Sequence, residues 1–292
     1  MEGTSTGDGT ALAVRAADFA SSKDHKKENF PVASVLLKAE HRAPVMAFYR
    51  FARAADDIAD HATASAAEKL AGLKAMRASL SGSGDEPTAR ALHKVMAERD
   101  LDPIHAHDLL DAFEQDVTVN RYADWDALIA YCRKSAVPVG RYVLDVHGED
   151  RACWPASDAL CAALQIINHL QDCGKDYRAI DRVYIPAETF AATGARIEDL
   201  GAAHASPALR TAIIILAERT QGLLRTSAPF AFAIRDRRLA AEVAIIQRLA
   251  ESLVKRLLTR DPLSERVHHG ALETATLVMG AIAGRFLRKA PA

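Results

Sequence analysis

Eight polar residues at helical spacing, in two groups of four, carry most of the chemistry that this 292-residue sequence can do. The first group is Tyr49, Arg53, Asp56 and Asp60, within FYRFARAADDIAD. The second, roughly 110 residues later, is Gln165, Asn168, Asp172 and Asp176, within LQIINHLQDCGKD. A helix advances ~3.6 residues per turn, so steps of three and four keep side chains on one face. Each group therefore sets two carboxylates one turn apart along a single line. An isolated aspartate on a helix is ordinarily solvated. Here the flanking Leu160, Ala162, Leu164, Ile166, Ile167 and Leu170 make the second segment apolar nearly all round, the pattern of a core helix. Carboxylates in such a setting are unfavourable unless satisfied, and too few lysines lie nearby to neutralise all four. Two such lines facing each other across a bundle make a metal site.

The donors are carboxylate and amide oxygens. His61 and His169 lie close in sequence but belong to no His-rich pattern. All-oxygen ligation suits Mg²⁺ or Mn²⁺ rather than Zn²⁺ or copper. Mg²⁺ keeps several waters and joins one or two carboxylates to substrate phosphates. The expected cargo is thus a diphosphate held between the lines by about two or three ions. A di-iron bundle is the rival, and it needs two Glu-x-x-His pairs. Only Glu265 and His268 have that spacing, in a charge-rich segment with Pro262. The Ala, Val, Leu, Ile and Phe around the polar lines predict an apolar cavity, hence a substrate with a long apolar body. Metal ions and cationic side chains would draw off the diphosphate as leaving group, and a dry cavity would shield the resulting carbocation from bulk water.

The elements that position these residues read as helices. Hydrophobic residues make up 49% and charged residues 26% of a chain with net charge -1, so composition favours an ordinary globular domain and gives no electrostatic case for nucleic acid. Gly (15) and Pro (11) are sparse and alanine is abundant, which favours helix. Helices are expected at 41–62, 65–80, 88–99, 103–119, 125–147 with a kink at Pro138, 157–177, 207–227, 237–259 and 271–288, with a short one after Pro186. RAIDRVYIP reads as an extended lid or loop. No segment alternates as a strand does, so the expected fold is all-α, a single-domain helical bundle around a central apolar cavity. Residues 1–20 are expected to be a flexible N-terminus and 21–292 the domain. Cys132, Cys153, Cys161 and Cys173 form no CxxC pair and suit a reduced cytoplasmic protein. No apolar run reaches a membrane-spanning length. Lys255, Arg256, Arg260, Arg285, Arg288 and Lys289 leave room for peripheral contact with the inner face of a membrane.

With these residues in view, ARAADDIAD and QIINHLQDCGKD resemble the two DxxxD motifs of the squalene/phytoene synthase family of head-to-head prenyltransferases. ENFPVAS near the start, Tyr131 with Ala136 to Gly140 in YCRKSAVPVG, and RVYIP at 182–186 extend the likeness over roughly residues 20–260. The resemblance implies the isoprenoid-synthase bundle, with Asp56, Asp60, Asn168, Asp172 and Asp176 holding Mg²⁺ against a prenyl diphosphate. It implies that Arg53 binds the diphosphate or orients Asp56 and Asp57, and that Tyr49, Tyr131 and Gln165 lie near the reacting centre. Phe30 would line the prenyl site, Ala136 and Gly140 would bind substrate, and Arg182 and Tyr184 would close over the diphosphate. Lys26 and Lys27 stand where other members use hydroxyls. Within the family the motifs are most similar to the bacterial hopanoid-pathway branch. That likeness implies ionisation of presqualene diphosphate and capture of the cation by water to give hydroxysqualene, without NADPH. A presqualene diphosphate synthase and a squalene-forming reductase would then be functional partners. Gln171 replaces the usual arginine, which speaks against full condensation, and Asn168 and Gln171 are candidate water-positioning amides. Two alternatives stand beside this: condensation of two farnesyl or geranylgeranyl diphosphates, and a non-catalytic prenyl-lipid-binding partner of neighbouring synthases. Asp57 is expected to pair with a cation, His169 to be packed, and Asp111, Glu114 and Asp116 to form a solvated acidic face.

Overall fold

Helix starts follow from local chemistry. Ser65 and Glu68 form a reciprocal capping box before one helix. Glu86 and Ser206, each followed by proline at the first helical position, accept the amides of Ala89 and Leu209. Asp124 accepts the amide of Ala127, as its position before an apolar run predicts. The computed structural model describes residues 38–270 and Glu273. Lys26, Lys27, Phe30, the N-terminal stretch and the expected helix 271–288 lie outside the described residues. Within them run α1 (Ala39–Ala59), α2 (Ala66–Leu80), α3 (Pro87–Arg99), α4 (Ile104–Thr118), α5 (Trp125–Ser135), α6 (Val137–Val146), α7 (Trp154–Gln171), α8 (Cys173–Ile180), α9 (Ala187–Thr193), α10 (Pro207–Ser227), α11 (Phe230–Ala233) and α12 (Arg237–Thr259). Single 3₁₀ turns occupy Arg151–Cys153 and Ile197–Gly201, and one isolated bridge joins Arg121 to Val183. The fold is all-α, as expected.

The apolar stripes explain the packing. Helix α1 buries Phe51, Ala55 and Ile58 against α2, α3 and α4. Helix α7 buries Ala163, Ile166, Ile167 and Leu170 and packs on α5, α6, α10 and α12. Helices α4, α5 and α6 join these two groups. All four cysteines are free, and no helix among the described residues is long and apolar enough to cross a membrane.

Three boundaries differ from the sequence reading, each for a backbone reason. Pro138 does not kink one long helix. The chain breaks at Ala136 (φ -125°, ψ -44°), and the proline sits in the first turn of α6, where its missing N–H costs nothing. The second polar group is likewise not on one helix. Asp172 closes α7 with φ -101° and Asp176 belongs to α8, although the amides of Asp172 and Asp176 still bond four residues back, to Asn168 and Asp172. A Cβ at Gly174, beside this break, would meet Leu263 Cδ2 at 2.5 Å and the Leu200 carbonyl at 3.1 Å, so α8 packs tightly on Leu263 and on the 197–201 turn. Helix α1 ends at Ala59, and Asp60 is its C-cap.

One ion pair ties the start of α1 to the start of α12. The Asp236 carboxylate accepts the amides of Arg238 and Leu239 and lies 2.7 Å from Lys38 Nζ. Burial works against this charge, but Lys38 and the two amides outweigh it and hold the carboxyl down at about 2. A depressed pKa contributes stability that is present above the ordinary aspartate range and lost as pH falls. Asp236→Ala is therefore expected to lower stability by ~1 kcal/mol at neutral pH. In urea unfolding, the gap to the parent protein should narrow as pH falls from roughly 4 towards about 2.

Candidate active site

The eight motif residues are all half-buried, neither sealed in the core nor fully solvated. The four aspartates lie around a cleft between the C-terminal end of α1 and the junction of α7 with α8, near enough that the charge of Asp60 acts on Asp176. Arg53 of α1 holds its own motif: Nη1 donates to Asp56 Oδ2 at 2.9 Å, and Nη2 reaches Asp57 Oδ1 at 3.4 Å. Asp57 thus pairs with a cation, as expected. Asp172 lies 3.6 Å from the exposed Lys175, and Asp60 lies 3.2 Å from Arg182. The four aspartates are therefore better compensated than the sequence suggests. Asp176 is the exception, with no ion pair within 4.0 Å among the described residues. Burial, then the charges of Asp172 and of Asp60 on the other motif, push Asp176 up to about 6. The two motifs therefore share one electrostatic space.

Arg182 is not part of a lid. It is buried, as is Tyr184, and the segment between α8 and α9 is pinned as a wall. Asp181 ends α8 in the left-handed region at φ 51°, and Arg121 clasps its carboxylate at 2.6 Å and also its carbonyl. The amide of Val183 then donates to the carbonyl of Asn120. From this wall Arg182 Nη1 donates to Asp60 Oδ1 and, at 3.4 Å, to the Tyr184 hydroxyl, while Nη2 donates to the Asp116 carbonyl at 3.0 Å. Burial opposes the guanidinium charge, but Tyr184, Asp116 and Asp60 outweigh it and raise its pKa. His169 is packed, as expected. Its ring stacks on Tyr184 with centroids 3.3 Å apart, and burial, then Arg182, push it down to about 3, so it is neutral.

Asp116 is not on a solvated face, contrary to expectation. Asp111 and Glu114 do lie outward, on Arg77 and Lys134. Asp116 is buried and accepts the Tyr131 hydroxyl at 3.0 Å, with its other carboxylate oxygen unpartnered among the described residues. Burial raises it to about 7 against the pull of Arg182 and Tyr131. The signal was available: His105, Leu109, Ala112 and Asp116 repeat at steps of four, three and four along the buried face of α4.

Beside the cleft lies a cavity of about 280 Å³ with a nearly all-apolar lining. Val45, Phe48, Tyr49 and Ala52 of α1, Gly140 of α6 and Leu160 and Leu164 of α7 line it, with α12 opposite. The lining on α1 ends at Ala52, one turn or roughly 6 Å before Asp56, and on α7 at Leu164, two turns or roughly 12 Å before Asp172, at about 1.5 Å per residue. Gly140 permits the close approach of α6 to α7, since a Cβ there would meet Cys161 Sγ at 2.5 Å. Tyr131, Ala136, Gln165, Asn168 and Gln171 are not among the lining residues. Tyr131 belongs to the buried Asp116 network, Ala136 to the break between α5 and α6, and Gln171 is buried at the end of α7.

The donor set available for a metal is wholly oxygen. Among the described residues no three His, Cys, Asp or Glu side chains converge on one point. The crowded, half-buried carboxylates around Asp176 fit cations that also take oxygens from a bound anion.

The family description "Squalene/phytoene synthase" matches residues 23–273. A hydroxysqualene synthase of Zymomonas mobilis is 56% identical over 275 residues, covering 93% of each chain. One of Rhodopseudomonas palustris is 51% identical over 275 residues, covering 94% of each. Among solved structures, squalene synthase HpnC from Alicyclobacillus acidocaldarius superposes with a TM-score of 0.69 at 30% identity, over 77% of this chain and 85% of that one.

The buried network makes a measurable prediction. Asp116→Ala and Tyr131→Phe should each cost ~1–3 kcal/mol in urea unfolding. The double variant should cost less than their sum, because both remove one shared hydrogen bond.

Proposed function

This chain belongs to the squalene/phytoene synthase family, and from that premise we propose that it is a hydroxysqualene synthase acting on presqualene diphosphate. The observation that carries the reading is the placement of the two DxxxD motifs. The first ends α1 and the second spans the junction of α7 with α8, and earlier turns of α1 and α7 line one apolar cavity, so a diphosphate head at the carboxylates puts its prenyl body in that cavity. The identities of 56% and 51% over nearly whole chains to proteins named hydroxysqualene synthase support the water-capturing branch over condensation.

Asp56, Asp60, Asn168, Asp172 and Asp176 would hold Mg²⁺, which when bound neutralises the diphosphate and makes it a better leaving group. The protein's own groups do the rest. Arg53 keeps Asp56 and Asp57 in place. Arg182 fixes Asp60 from behind and adds positive charge beneath the cleft. Neutral His169 and Tyr184 make a packed floor. Tyr49, at the junction of cleft and cavity, is positioned beside the reacting carbon. The apolar walls admit little water, so the cation survives until one water adds. Upstream supply of presqualene diphosphate and downstream reduction of the alcohol fall to other enzymes. Peripheral contact with a membrane suits a substrate and product that are lipids.

The test is incubation of the protein with presqualene diphosphate and Mg²⁺ in ¹⁸O-labelled water, with and without NADPH. Labelled hydroxysqualene and diphosphate are expected in equal amounts, with no effect of NADPH. Hydrocarbon formed from farnesyl diphosphate alone would sink the reading in favour of condensation. Asp60→Ala and Asp172→Ala should each slow diphosphate release by at least ~100-fold; full activity in both would remove the metal-site argument.

A further inference from the structure

Buried polar atoms in a folded protein are nearly always paired, with protein or with ordered water, so a cluster of unpaired ones marks a place where something small binds. Such a cluster lies behind the cleft, around the wall that carries Arg182. Four side-chain atoms there have no hydrogen-bond partner among the described residues: Asp116 Oδ1, Tyr122 Oη, His169 Nε2 and Arg182 Nε. All four residues are more than nine-tenths buried, with 8%, 3%, 7% and 8% of their surface exposed. They belong to one group. The Tyr122 ring lies 5.2 Å from that of Tyr131 and stacks on that of Tyr184 at 5.8 Å. Tyr131 donates to Asp116, Arg182 donates to the Tyr184 hydroxyl and the Asp116 carbonyl, and His169 stacks on Tyr184. Beyond burial, Asp116, Tyr184 and Arg182 all act on the Tyr122 hydroxyl, and Arg182 acts on His169.

The chemistry of these atoms selects the occupant. Arg182 Nε–H and the Tyr122 hydroxyl donate, an ionised Asp116 Oδ1 accepts, and a neutral histidine nitrogen does either according to its tautomer. The guest must therefore both accept and donate. A cation would meet the Arg182 guanidinium and an anion the Asp116 carboxylate, so the site suits a neutral molecule. Rings packed with centroids 3.3 to 6.0 Å apart keep that molecule small. Water meets all of these conditions. We propose that this cluster is an internal hydration site: one or more buried waters bridge Asp116 Oδ1, Tyr122 Oη and Arg182 Nε, with His169 Nε2 at the edge, and so fix the guanidinium that holds Asp60. The other two nitrogens of that guanidinium are already bound, Nη1 to Asp60 and Tyr184 and Nη2 to the Asp116 carbonyl. Water on Nε completes the set and removes the desolvation cost of four unpaired atoms at once. The proposal concerns the fold behind the cleft and stands whatever substrate the cleft takes.

A crystal structure of the full-length protein, at a resolution that shows ordered water, tests this directly. Water is expected within about 2.7–3.2 Å of Asp116 Oδ1 and of Tyr122 Oη or Arg182 Nε. Direct pairing of these atoms with other protein groups, or a dry gap between them, overturns the proposal. Stability supplies a second test, in which the sign decides. Phenylalanine at position 122 keeps the ring and its stacking and removes only the hydroxyl. With a water bridge, Tyr122→Phe should lower the folding equilibrium constant ~3–10-fold in urea unfolding. An unpaired buried hydroxyl would instead leave the variant as stable as the parent or more so, and that result overturns the proposal. The hold on Arg182 has its own signature in nuclear magnetic resonance. Its Nε–H proton, identified by its loss in Arg182→Lys, should show a cross-relaxation contact with long-lived water, and Tyr122→Phe should weaken that contact. Absence of the contact in the parent, or a contact unchanged in Tyr122→Phe, overturns the bridge.

Discussion

A buried guanidinium holds the cleft together. Arg182 touches Asp60 of the first motif, the backbone of α4 at Asp116 and the Tyr184 hydroxyl, and its charge acts on Asp176 of the second motif. Removing an arginine from water is unfavourable, and it is stable here because carboxylates and a tyrosine face it from separate elements. Its position depends on a short chain of local causes. The left-handed turn at Asp181 ends α8, the Arg121 clasp fixes that turn, and the bridge to Val183 carries the backbone inward. The carboxylates of the cleft are consequently held at set positions before any cation or substrate arrives, and preorganised charge is more effective than charge that must be gathered during reaction.

Cleft and cavity divide the chemistry between different helices. The ends of α1 and α7 present the carboxylates, and the preceding turns of the same helices present Ala52 and Leu164 to an apolar space. Under the proposed function, ionisation falls to one end and the fate of the cation to the other. The family shares the first task. The second depends on what lines the cavity, and there α12 contributes a stripe that a motif search does not mark.

The aspartates were legible because helical spacing is a local property. Two carboxylates one turn apart, in a segment otherwise apolar, mark a face whether or not its partner is known. The same logic applied to α4 would have found Asp116, whose steps of four, three and four from His105 match those of the first motif. Asp111 and Glu114 beside it are half-buried acids on Arg77, and their outward direction masks the inward face that Asp116 occupies. The segment RVYIP looked mobile because it is extended between helices. Its rigidity comes from Asn120 and Arg121, some sixty residues away in sequence.

The sequence by itself determined the helical class, the caps of the helices and which carboxylates share a helix face, since each follows from interactions within a few positions of the chain. Tertiary structure alone decided that Asp176 lacks an ion pair among the described residues while its three companions have one, that Arg182 is a wall and not a lid, and that Tyr131 serves Asp116. It also decided that α12 shares a cavity with Tyr49. These depend on which distant helices meet, on how closely Gly140 and Gly174 let them approach, and on the loss of water where they do. Burial and long-range charge act through space, and spacing along the chain does not record them.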